Sequence, residues 1–108
     1  MTTMKIAIPS MGETLDSFLS NNLGRTPFII IYDGESNSFQ SFANPGYKIQ
    51  DGSGLKAAEV VIQNKADVLF TMEIGRKAYS VLMNKHIDVH LLNVNSKIKD
   101  VINKFLKE

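Results

Sequence analysis

A chain of 108 residues, 44% hydrophobic and 21% charged, has room for one compact core and the composition of an ordinary globular domain. Its net charge of +1 supplies no field to recruit nucleic acid or an anionic membrane. The absence of cysteine removes disulfides, thiolate zinc sites, a cysteine nucleophile and the usual iron–sulfur ligands.

The longest apolar run, Pro27 to Tyr32, is far too short to cross a bilayer. No signal-type apolar stretch follows Met1 to Met4, so a cytoplasmic location and a single domain over residues 1–108 are expected. Lys5-Ile6-Ala7-Ile8-Pro9 reads as a short buried strand ended by proline. One helical turn is expected after Thr14, carrying Leu15, Phe18 and Leu19, before Gly24-Arg25. Phe28 to Asp33, rich in β-branched and aromatic residues, predicts a second strand. Gly34, Ser36 and Asn37 supply turn chemistry, and Ser38 to Ala43 returns as a third strand in a hairpin.

From Leu55 the period changes. Leu55, Ala58, Val61 and Ile62 fall on one helical face, with Lys56, Glu59 and Gln63 opposite. Asp67 to Thr71 predicts a fourth strand, Ile74, Ala78, Val81 and Leu82 a second amphipathic helix, and Ile87 to Leu92 a fifth strand. Asn95 or Ser96 is expected to cap a last helix that buries Ile98, Val101, Ile102, Phe105 and Leu106. A hairpin followed by α-β-α-β-α demands right-handed crossovers between parallel strands in the second half and an antiparallel strand in the first. A mixed five-stranded sheet sandwiched by helices follows.

In such sheets ligands bind beyond the carboxyl ends of the parallel strands, where the strand order reverses. With the first and fourth strands as central neighbours, Ser10 to Glu13, Gly52-Ser53-Gly54 and Met72 to Gly75 meet at that edge. The start of the second strand, Gly24-Arg25, joins them. The chain has only two arginines, Arg25 and Arg76, and each follows a glycine at this edge. Arginine offers a planar fork for carboxylate or phosphate oxygens, and the free amides of a helix start attract anions. Gly24, Arg25, Gly52, Ser53, Gly54, Gly75 and Arg76 are therefore the candidate residues for a small anionic ligand.

Among metal donors, only His90, Met11 and Met72 stand near the edge, and no regular spacing links Asp16, Asp33, Glu35, Asp51 and Glu73. No GxSxG, P-loop lysine or HExxH occurs. Two other readings stay open. One is an enzyme acting on a phosphorylated or carboxylated metabolite with Asp16, Asp51 or Glu73 as base. The other is an interaction module that pairs through the edge strand Ser38 to Ala43.

With these segments in order, the chain resembles the dinitrogenase iron–molybdenum cofactor biosynthesis family, of the NifX and NifB C-terminal type. Leu23-Gly24-Arg25-Thr26 before Pro27 to Ile30 corresponds to the family's phenylalanine-glycine-arginine-alanine segment. Gly52-Ser53-Gly54 with Ala57-Ala58, then Asp67 to Phe70, Ile74-Gly75, Ala78, Leu82 and Ile87-Asp88-Val89, match its later motifs in order. Four positions depart from the pattern: Leu23, Thr26, Glu73, and His86, the last where glycine is common. A Glu73 carboxylate beside an anionic cluster would weaken its binding.

The resemblance implies a ribonuclease H-like three-layer α/β/α sandwich with sheet order 3-2-1-4-5 and strand 2 antiparallel. It also implies a non-enzymatic carrier, a nitrogenase accessory factor-like domain that transiently binds an iron–sulfur or iron–molybdenum type cluster or its precursor. Cofactor-assembly proteins are the implied partners, with no nucleic acid and no membrane, and a monomer or weak homodimer is expected.

Overall fold

The computed structural model describes residues 4–49, 52–93 and 95–106. They form β1 (Lys5–Ser10), β2 (Phe28–Asp33), β3 (Ser38–Ala43), α1 (Ser53–Gln63), β4 (Val68–Thr71), α2 (Arg76–Asn84), β5 (Asp88–Leu91) and α3 (Ile98–Leu106). The strands make one sheet in the order β3-β2-β1-β4-β5. β1 pairs antiparallel with β2 (Ala7 opposite Ile31) and parallel with β4 (Ala7 beside Leu69), and β4 pairs parallel with β5. The sheet is mixed, and its second strand runs against the first, as the resemblance implies.

Alternation along the strands feeds two cores. Ala7, Ile29, Ile31 and Leu69 point to the face covered by α1 and α2, where they meet Ala57, Ala58, Val61, Ala78 and Leu82. Ile6, Ile8, Ile30 and Phe70 point to the other face and meet Leu19, Ile98, Val101 and Ile102. Central strands buried on both sides need continuous apolar sequence, which explains the run in β1 and β2. Each fully buried isoleucine such as Ile6 or Ile8 contributes about 1.5–3 kcal/mol by its removal from water.

Both crossover helices close in the same way. The Lys65 and Ala66 amides donate to the carbonyls of Ile62 and Val61, and the His86 and Ile87 amides donate to those of Met83 and Leu82. These are Schellman closures, which need a left-handed residue just after the helix. Lys65 (φ 58) and His86 (φ 61) occupy that position. The family's preference for glycine where this chain has His86 thus has a conformational reason, because a β-carbon in that region is strained.

The segment expected to hold one helical turn is a single turn. The Ser17 amide donates to the Thr14 carbonyl, and bridges from Leu19 to Ser10 and from Phe18 to Lys97 follow it. No helix among the described residues is long and apolar enough to cross a membrane.

Candidate functional site

The two crossovers bring the starts of α1 and α2 side by side at the carboxyl end of the sheet. Small residues permit this approach: a β-carbon on Gly54 would lie 3.3 Å from that of Ala78. Between the helix starts is an open cavity of about 320 Å³, lined by Gly52, Ser53, Gly54, Gly75, Arg76 and Lys77 among others. Among the described residues its wall carries two cations and no carboxylate.

Backbone chemistry accounts for the character of this wall. The first intrahelical bonds run from Lys56 to the Gly52 carbonyl and from Tyr79 to the Gly75 carbonyl. The amides of residues 53–55 and 76–78 therefore precede the hydrogen-bonded ladder, as in any helix start. Both cap positions are glycine, so no cap side chain accepts from these amides, and neither first turn contains an acid. Gly52 reaches its cap position at φ 80, a left-handed conformation that glycine adopts without strain. The residues that carry these donors, with the cations Arg76 and Lys77, thus border one space.

Gly24 is buried behind this wall, where a β-carbon on it would lie 3.1 Å from the Gly54 amide nitrogen. Arg25 is exposed, and its guanidinium donates to the Ile49 carbonyl in the loop that leads towards α1. Arg76 lines the cavity, whereas Arg25 does not. Of the three segments expected to converge at this edge, those ending in Gly54 and Gly75 supply the wall. Ser10 to Glu13 turns to the other face, tied by the Met11 amide to the Phe18 carbonyl at 2.9 Å.

Glu73 is held through its backbone. Its amide donates to Asn21 at 2.8 Å and its carbonyl accepts from Leu23 at 3.3 Å. Its side chain is exposed and is absent from the cavity wall.

The other candidates lie apart. His90 contacts Phe70 and Phe105 on the α3 face, Met72 packs into the core of that face, and Met11 is 56% exposed at the end of β1. Asp16 pairs with Lys99 at 2.9 Å, and Asp51 lies outside the described residues. Among the described residues no three histidine, cysteine, aspartate or glutamate side chains gather where they could hold a metal ion.

Two positioning groups were not singled out in the sequence. Asn44 is buried, and its amide nitrogen donates to the carbonyl of Thr26 at 2.9 Å and more weakly to those of Gly24 and Leu23. Its side-chain oxygen accepts from Gly46. Thr26, fully buried, donates at 2.9 Å to the Ser10 carbonyl and also lies 2.8 Å from that of Phe28. Together they pin the Gly24-Arg25 segment against the end of β1. Asn44-Pro45-Gly46 announces a turn in the sequence, but only the folded chain shows which carbonyls Asn44 meets.

Comparison with known proteins bears on this arrangement. The family described as dinitrogenase iron-molybdenum cofactor matches residues 4–108. The chain is similar to the apo form of the orange protein from Desulfovibrio gigas, with 25% identity over 98% of this chain and 89% of that one, and a TM-score of 0.87. It is also similar to a putative NifB protein from Thermotoga, with 26% identity over 96% and 88% of the two chains and a TM-score of 0.83. No curated protein matches.

Proposed function

Since the chain belongs to the dinitrogenase iron–molybdenum cofactor family, we propose that it is a non-enzymatic carrier of an iron–sulfur or iron–molybdenum type cluster or its precursor. The cluster is cargo, held as an anion between the starts of α1 and α2. One observation carries this reading: six first-turn residues, Arg76 and Lys77 among them, border one cavity with no carboxylate among the described residues of its wall.

The residues present limit the kind of cargo. Without cysteine, and without a three-donor cluster among the described residues, the cavity offers hydrogen-bond donors and charge rather than metal ligands. It suits a cluster whose metals keep their own sulfides and whose outer surface accepts hydrogen bonds. It does not suit a cluster that must complete its coordination from protein side chains. Arg25 serves as a positioning residue here, tying the segment behind the wall to the loop entering α1. Exposed cations and helix starts each contribute modestly, so affinity rests on their convergence and reversible transfer follows naturally.

Anaerobic titration of the full chain with iron–molybdenum cofactor tests this reading. Saturable visible absorbance that co-elutes with the protein in gel filtration is expected. Arg76→Ala should weaken it by about tenfold, equivalent to about 1.4 kcal/mol, and Arg25→Ala by less. Absence of co-eluting absorbance removes the carrier reading.

A further inference from the structure

The two faces of the sheet are covered unequally. α1 and α2 lie over one face, while α3 and the segment from Leu15 to Leu19 lie over the other. Outer strand β5 directs His90 towards the part of that face that α3 leaves open, and a cavity of about 430 Å³ results. This exceeds the space between the helix starts and falls within the size range of small-molecule sites.

The wall of this second cavity is aromatic and its rim is charge-balanced. Phe70 from β4, His90 from β5 and Phe105 from α3 pack against one another. Their ring centroids are 5.1 Å apart for Phe70–His90, 4.9 Å for Phe70–Phe105 and 6.4 Å for His90–Phe105. Phe105 meets Phe70 and His90 edge-on, at 71° and 69°, an arrangement that aromatic rings favour, while Phe70 and His90 are tilted at 40°. Leu92 extends the apolar surface, and Asp100 and Lys104 stand one helical turn apart on the rim. Among the described residues, one carboxylate and one ammonium on this rim give no preference for either sign of charge, whereas the wall between α1 and α2 carries only cations.

We propose that this cavity is a second binding site, on the opposite face from the cluster site, for a flat, net-uncharged heteroaromatic molecule of one or two rings. The ring lies against Phe70, His90 and Phe105. Its polar edge faces α3, where the Asp100 carboxylate accepts from a ring N–H and Lys104 donates to a ring nitrogen or carbonyl oxygen. An aliphatic molecule would leave the aromatic wall unmatched, and an ion of either sign would lose hydration that a charge-balanced rim does not replace.

The test is an NMR titration of the full chain with adenine, with benzoate as an anionic single-ring comparison. Saturable shifts centred on the amides of His90, Leu92, Val101 and Phe105 are expected for adenine, with weaker binding of benzoate. His90→Ala removes an exposed ring of the wall, and should weaken adenine by about tenfold while the thermal midpoint falls only slightly, through the lost contact with Phe70. Shifts that never saturate would overturn the proposal, as would a His90→Ala variant that binds adenine like the parent. Dilution-dependent shifts at the same amides without adenine would also overturn it, because a second copy of the chain would then cover the cavity. Cofactor uptake is read separately, at the amides of residues 52–55 and 75–78, so either site can fail alone.

Discussion

At the start of α3 the Ile98 and Lys99 amides donate to the carbonyls of Ser17 and Leu15, each at 2.9 Å, and Asp100 places a carboxylate in the first turn. At the starts of α1 and α2 the caps are glycine, no acid stands in the first turn, and the corresponding residues border open space. Each of these helix starts has the same backbone dipole and the same surplus of amide donors. They differ in what the rest of the chain does with that surplus. The loop through Leu15 and Ser17 consumes it at α3, while the glycine caps at α1 and α2 supply no side-chain acceptor for it. What covers a helix start thus decides whether its donors are used within the fold, and here two glycine-capped starts adjoin.

The most damaging way to break this contrast is to displace the start of α1. A β-carbon on Gly46 would lie 2.6 Å from the Ser53 carbonyl oxygen and 2.9 Å from the Ser53 α-carbon, both backbone atoms that a rotamer change cannot move. Gly46→Ala should lower unfolding free energy by about 2–3 kcal/mol in urea titration, with weaker cofactor uptake as the first turn shifts. An unchanged midpoint would mean that Gly46 does not fix this helix start.

A subtler change gives α2 the first-turn acid that α3 already has. Lys77→Glu should raise stability by about 0.5 kcal/mol through the helix dipole while cutting cofactor uptake by about tenfold. The opposed signs separate folding from binding in one variant. Uptake equal to the parent would take this cavity out of the carrier site.

The smallest effect lies on the closed side of the comparison, at the exposed Asp16–Lys99 pair. The hydrogen bond from Lys99, followed by its charge, holds the Asp16 carboxyl below its usual range, and Asp16 in turn raises the Lys99 ammonium above its own. A lowered carboxylate stabilises the fold above its unfolded pKa and loses that contribution as pH falls through the folded value. A raised ammonium stabilises it below the unfolded pKa and loses that contribution as pH rises through the folded value. The pair is therefore constant across neutral pH and fails only in strong acid or strong alkali. Thermal melts of Asp16→Asn should match the parent closely, with a slightly shallower acid limb that added salt abolishes. A large loss at neutral pH would show that the pair, rather than the backbone bonds beside it, seals the start of α3.

Local pattern carried much of the architecture. β2 and β3 occupy the residues that β-branched and aromatic enrichment and turn chemistry delimit, because a strand bounded by turn residues leaves little freedom of register. Boundaries set by distant partners were less legible. α1 begins at Ser53 rather than Leu55, since Gly52 turns the chain early. Ile74 packs into the α1/α2 core from the loop before α2 rather than from the helix itself. Asn95 and Ser96 suggested a side-chain cap for α3, yet the helix begins at Ile98 because carbonyls of the Leu15–Ser17 segment supply the acceptors. Lys65 and His86 gave no local signal of their left-handed conformation, because glycine is the usual signal and neither is glycine.

Periodicity, glycine punctuation and the order of elements determined that α1 and α2 cross over between parallel strands, and so that Gly52 to Gly54 and Gly75-Arg76 reach the same end of the sheet. Those properties are encoded within short stretches of chain and survive without knowledge of long-range contacts. Only the tertiary structure decided that Arg25 reaches back to Ile49, that Glu73 is held by its backbone outside the cavity, and that Asn44 gathers three carbonyls around Gly24. Each of these depends on where side chains and loops far apart in sequence come to rest, and hydrogen-bonding groups with several possible partners are assigned only when packing removes the alternatives.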